Sequence, residues 1–114
     1  MATVYKICPE GLWREAETVG AFQGAPVDLA DGFIHLSLES QVEETAARHF
    51  AGQDGLLLVA VDGDALGGSL RFEPSRGGEL FPHLYGPLPM SAVEWAKPLP
   101  RGADGRHRFP TLDL

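Results

Sequence analysis

Leu56-Leu57-Leu58-Val59-Ala60-Val61 is an unbroken apolar run of strand length. With no polar alternation in it, the run reads as a strand buried on both faces. The flanks say what surrounds it. Upstream, Ser40 followed by Glu43 is a capping-box pattern that predicts a helix start. Val42, Ala46, Ala47 and Phe50 give that helix one apolar face, and Gly52 ends it. Downstream, Leu70-Arg71-Phe72-Glu73 alternates as a half-exposed strand does.

Further out, Thr3 to Ile7 reads as a first strand stopped by Pro9. Leu12, Trp13, Ala16 and Val19 then recur at helical spacing, with Gly20 as the C-terminal stop. Gly24 to Asp31 reads as loop, followed by a short strand through Phe33, Ile34, His35 and Leu36. A Gly- and Pro-rich connection carries Pro74, Gly77, Gly78, Pro82 and Gly86, and Val93 and Trp95 alternate with Glu94 and Lys97 in a late strand. The order β-α-β-α-β and then mostly β predicts an α+β domain, two helices packed on a curved, mostly antiparallel sheet. One domain, 1–114, is expected. Within it 101–114, where Arg101, Arg106 and Arg108 surround His107, reads as a loose C-terminal tail.

Composition narrows the function classes. A hydrophobic share of 44% is ordinary for a globular chain. The formal net charge is −7 with nine basic residues, whereas nucleic-acid binding draws much of its affinity from Lys and Arg on phosphates. No nucleic-acid partner is therefore expected. The apolar runs are too short to cross a bilayer, and Met1-Ala2-Thr3-Val4-Tyr5-Lys6 lacks the pattern of a signal peptide. The single cysteine, Cys8, rules out an intrachain disulfide, fits a reducing cytoplasm, and reads as a structural thiol.

Two histidine segments are the candidate chemistry: Gly32-Phe33-Ile34-His35-Leu36-Ser37 and Glu79-Leu80-Phe81-Pro82-His83-Leu84-Tyr85-Gly86. In an extended chain Phe33, His35 and Ser37 share a face. His35 and Ser37 are then about 7 Å apart, too far for a nucleophile–base hydrogen bond of roughly 3 Å, so the face suits recognition of a ligand's polar edge over an aromatic ring. The competing reading makes His35 a core histidine satisfied by a backbone carbonyl. Around the second segment, Arg76 with Gly77 and Gly78 forms a candidate anion-contacting loop, flanked by Glu73 and Glu79, either of which could serve as a general base. The competing reading here is a solvated turn shaped by Pro and Gly. Asp31, Glu73 and Glu79 with the two histidines contain metal-ligand atoms, but there is no HExxH or cysteine cluster, and no metal is expected. His49 reads as a core or boundary residue of the second helix, and His107 has no assigned role.

Val4-Tyr5-Lys6-Ile7, Trp13, Asp31-Gly32-Phe33-Ile34-His35-Leu36-Ser37, Gln41 and Phe81-Pro82-His83-Leu84-Tyr85-Gly86 together resemble a bacterial family of unknown function, number nine-five-two, over residues 4 to about 97. The strand ending His-Leu-Ser is more distantly similar to the RNA 2′-phosphotransferases of the ADP-ribosyltransferase superfamily. That resemblance implies a split sheet with NAD as co-substrate in its cleft, and ADP-ribosyl transfer or NAD cleavage as chemistry. A non-catalytic ligand-binding or interaction module on the same fold is the alternative. The resemblance to the phosphotransferases matches His35 and Ser37 to their nucleotide-contacting histidine and serine. Tyr5 and Lys6 stand where the superfamily usually places another histidine or an arginine. The candidate catalytic groups are His35, His83 and Glu79, and the candidate ligand contacts are Tyr5, Phe33, Ser37, Arg76 and Tyr85.

Overall fold

The computed structural model describes residues 3–110, the side chain of Arg76 excepted. In chain order the elements are β1 (Thr3–Pro9), α1 (Glu10–Val19), β2 (Ala21–Phe22), α2 (Pro26–Asp31), β3 (Ile34–His35) and α3 (Glu39–His49). Then follow β4 (Leu56–Asp62), β5 (Leu70–Pro74), β6 (Leu80–Leu84), β7 (Leu88–Pro89) and β8 (Val93–Pro98). One sheet runs β1-β4-β8 and a second β3-β6-β5, with β2-β7 as a short ribbon; every pairing is antiparallel.

β4 lies in the middle of its sheet, and Leu56 through Val61 are all buried, as the unbroken apolar run requires. Alternation splits the side chains between two cores. Val4, Cys8, Leu57, Val59 and Val61 pack with Trp13 and Ala16 of α1 and with Ile34 and Leu84. Tyr5, Ile7, Leu56, Leu58 and Ala60 pack with Val42 and Ala46 of α3 and with Leu99. Lys6 belongs by alternation to the face of Val4 and Cys8, so a buried cation has to find a partner there.

The two three-stranded sheets meet at one backbone bridge. Tyr5 N–H donates to the Ser37 carbonyl at 2.8 Å, and Ser37 N–H returns the bond to the Tyr5 carbonyl at 2.9 Å. The expected α+β architecture with antiparallel sheets stands. The helix count does not, because the described residues form three α-helices.

The additional helix is α2, where the sequence reads as loop. Pro26 supplies a fixed φ at the first helical position. Asp28 reaches back to accept the Ala25 backbone N–H at 2.7 Å, and Gly32 closes the helix in the left-handed region at φ 87°. α3 also begins earlier than the Ser40–Glu43 pattern predicts. Gln41 Oε1, not Glu43, accepts the N–H of Leu38 at 2.9 Å, which starts the helix at Glu39. It ends at His49, before Gly52, and Ala47 is exposed. Val19 likewise leaves the apolar face of α1, being 74% exposed.

The Gly- and Pro-rich connection contains β6, the central strand of its sheet. Pro82 is tolerated there for a local reason. Leu36 N–H donates to the Pro82 carbonyl at 3.1 Å, and in an antiparallel ladder the same residue pair would exchange a second bond from the Pro82 N–H. Proline lacks that hydrogen, so the ladder fails on this side just where β3 stops after His35. The stretch 101–110 is tied to the body of the protein: Arg101 grips Asp54 with two bonds of 2.8 and 2.9 Å, Arg108 N–H donates to Pro100, and Phe109 packs on the second core.

Candidate functional site

The register of β3 on β6 makes His35 and His83 direct partners, with ring centroids 5.9 Å apart. Both line a cavity of about 850 Å³ beside the Tyr5–Ser37 junction, within the roughly 300–1,000 Å³ of small-molecule sites. Its floor includes Tyr5, Lys6 and Ser37, and one wall is the C-terminal part of α3 with Arg48 and His49.

Each histidine is oriented by a carboxylate. His35 places Nδ1 2.6 Å from Asp28 Oδ1 and Nε2 2.9 Å from Asp31 Oδ2. Asp28 also accepts the backbone N–H of His35 at 3.0 Å and pairs with Lys6 Nζ at 2.9 Å, with both charged groups buried. Lys6 Nζ donates besides to the His35 carbonyl at 3.1 Å. Burial alone would raise the Asp28 carboxyl; the hydrogen bond from His35 and the charge of Lys6 outweigh it and hold the group well below the usual carboxylate range.

His83 is 93% buried by its side chain and donates from Nδ1 to Glu73 Oε1 at 2.8 Å, the same oxygen that accepts the Tyr85 hydroxyl at 2.8 Å. The bonds from His83 and then Tyr85 hold the Glu73 carboxyl below its ordinary value, and the bond to Glu73 pushes the Tyr85 phenol up. With Nδ1–H committed to a carboxylate, the neutral ring carries its lone pair on Nε2. That atom has no hydrogen-bond partner among the described residues, and it belongs to a residue lining the cavity. Phe33 stacks on the His83 ring at 4.1 Å and 24° and touches His35 and Tyr85 at 4.6 and 5.4 Å.

The fold that carries this site has counterparts among known proteins. A family model described as protein of unknown function (DUF952) matches residues 7–96. The chain belongs to the DUF952 family. A crystal structure of protein CC0527 from Caulobacter crescentus is similar to it at 49% identity, covering 93% of each chain with a TM-score of 0.89. The solution structure of CC0527 is similar at 50% identity and a TM-score of 0.83, covering 93% of this chain and 91% of that one. No curated protein matches the chain.

Of the residues that the DUF952 sequence nominates, the structure gathers His35, His83, Tyr5 and Ser37 at one cavity. Ser37 Oγ lies 3.0 Å from Thr45 Oγ1. Phe33 and Tyr85 sit behind the histidines, outside the lining. Glu79 is exposed and also outside it, while Glu73 contacts His83. The backbone of Arg76 lies in the short turn Arg76–Gly78, and its side chain is outside the described residues. Cys8 is fully buried, which pushes its thiol up to about 11 and removes it as a nucleophile at neutral pH. Among the described residues no group of three or more His, Cys, Asp or Glu is arranged to hold a metal, and no helix is long and apolar enough to cross a membrane.

Sequence reasoning missed Asp28 and the burial of Lys6 against it. Both left signals: Pro26 with an acid two residues on is a helix start, and a lysine inside Val4-Tyr5-Lys6-Ile7-Cys8 is a charge that its strand will bury.

Proposed function

We propose that this domain binds NAD or a related nucleotide in the cavity at the junction of its two sheets, on an ADP-ribosyltransferase-like scaffold. One observation carries the reading: His35 and His83, brought together by strand register, line a single cavity with different carboxylate contacts. His35 has a carboxylate at each ring nitrogen, and His83 has one at Nδ1 alone, which leaves its Nε2 open toward a ligand. The two cations of the lining, Lys6 and Arg48, are each paired with a carboxylate, Asp28 at 2.9 Å and Glu44 at 2.8 Å, so a ligand's polar groups are read by the histidine edges rather than by a surplus of positive charge.

The chemistry such a pair performs on NAD is displacement at the ribose C1′. The bond to nicotinamide breaks with its electron pair leaving on the nicotinamide nitrogen. An acceptor hydroxyl or water forms the new C1′–O bond, and its proton passes to His83 Nε2. His35 holds the nucleotide in register, and Ser37 and Tyr5 shape the floor.

A binding module without chemistry is the second reading. It is favoured by the lining itself, whose single carboxylate, Asp31, is bonded to His35 while Glu79 lies outside. Thermal denaturation with NAD tests binding. At ~100 times its Kd the nucleotide adds about 2.7 kcal/mol, on the order of 10 °C for a domain this size. His35→Ala is expected to abolish the shift while the fold is kept. A shift unchanged in that variant would reject the site. Nicotinamide release separates the enzyme from the module.

A further inference from the structure

The two acids that hold His35 are not equivalent. Asp28 is sealed, its side chain 1% exposed, and it accepts from Lys6 Nζ, from the Ala25 and His35 backbone N–H groups and from His35 Nδ1. Asp31 is 50% exposed by its side chain, and its contact to His35 Nε2 is its single side-chain hydrogen bond among the described residues. It is the last residue of α2, where the helix carbonyls present negative charge and disfavour a carboxylate. It also stands three residues from Asp28, a like charge on the same helix face. Asp28 is a fixture; Asp31 is an anion with little to keep it in place.

What Asp31 touches is the outward edge of a ring whose two nitrogens both face carboxylates. A carboxylate only accepts, so both His35 contacts are hydrogen bonds when both nitrogens carry protons. That N–H edge opens on the cavity lined by Lys6, Arg48, His49 and His83. His83 cannot serve the same purpose, because its Nε2 offers a lone pair and so does a phosphate oxygen. A phosphate therefore belongs at His35, and a hydroxyl belongs at His83.

We propose that the Nε2 edge of His35 is the phosphate-binding point of the cavity, and that Asp31 is a resident carboxylate which an incoming phosphate displaces. This rests on the nucleotide reading above and makes it more specific: the ligand's phosphate exchanges for Asp31 while Asp28 and Lys6 keep the imidazole in position. The binding group is a phosphate, whether carried by a nucleotide or free in solution.

The test compares wild type with D31A and D31N, using NAD and inorganic pyrophosphate as separate probes at matched ionic strength. Affinity is read by calorimetry, and the His35 ring nitrogens by NMR. Removing a half-exposed competing ion pair is expected to tighten pyrophosphate roughly fivefold in D31A, with D31N intermediate because its amide oxygen still accepts. Pyrophosphate is expected to shift the His35 Nε2 resonance and to leave Nδ1 unmoved. Tighter pyrophosphate in D31A with no NAD binding to either protein upholds the phosphate point and rejects the NAD reading. NAD binding with equal or weaker affinity for both probes in D31A overturns the exchange and leaves the NAD reading standing. No binding of either probe to any variant overturns both.

Discussion

Replacing Asp28 by asparagine removes the carboxylate that pairs with Lys6 inside the protein. The lysine side chain is 5% exposed and Asp28 1%, with 2.9 Å between the charges. Breaking a pair this deeply buried from one side costs about 3–5 kcal/mol, because the surviving charge is left uncompensated. The mirror change, Lys6→Met, costs less. Asp28 then keeps His35 and two backbone N–H donors at 2.7 and 3.0 Å, so the loss is nearer the 1.5–3 kcal/mol of about one charged hydrogen bond. The double variant Lys6→Met/Asp28→Asn strands no lysine and is expected to recover at least about 1 kcal/mol of the summed losses, as coupled neighbours do. Urea unfolding at neutral pH measures all four proteins, with the denaturant slope checked for constancy. Costs that add to within about 0.5 kcal/mol would refute the coupling. An Asp28→Asn loss below about 1 kcal/mol would refute the picture of a lysine that depends on this acid.

Acid dependence follows from the same residue. A carboxyl held low in the folded state contributes stability that is complete above its unfolded value, about pH 4, and is lost as pH falls through the folded value. With Asp28 depressed, unfolding free energy should decline from about pH 4 downward, and Asp28→Asn should flatten that limb; an equally steep limb in the variant would assign it to other acids. The Glu73–Tyr85 bond makes a separate prediction. In Glu73→Gln the phenol of Tyr85, pushed up by that bond, should titrate lower than in wild type by ultraviolet absorbance, and an unchanged titration would show that the bond does not persist in solution.

The sequence reads well where one element suffices. Leu56–Val61 can be placed in a sheet interior because nothing polar interrupts it, and Trp13 with Ala16 marks the buried side of α1. It reads poorly where two elements must meet. The approach of His35 to His83 depends on the register of β3 against β6, and nothing in either segment encodes the other's position. The choice between Glu73 and Glu79 has the same origin. Glu73 pairs with Phe81 across β5 and β6, which makes it a diagonal neighbour of His83 on one face, while Glu79 precedes β6 and points elsewhere. Pro82 argues against a strand by composition and becomes acceptable only because the hydrogen bond it cannot make falls where β3 ends. Asp28 was hidden by Gly24 and Gly32, which make the segment between them look like loop although Pro26 and Asp28 start a helix there.

The bridge between Tyr5 and Ser37 has a consequence for how such a protein can change. Tyr5 and Lys6 belong to one sheet and the two histidines to the other, and the halves are stitched by two backbone bonds and by Lys6 reaching His35 and Asp28. A small tilt of one half against the other would reshape the cavity without breaking either ladder, but Ile34 and Leu84 would have to slide against Val4, Val59 and Val61 in the core that the two sheets share. Substitutions at these shared-core positions would thus be felt in the shape of the cavity, while the hydrogen-bonded ladders remain as they are.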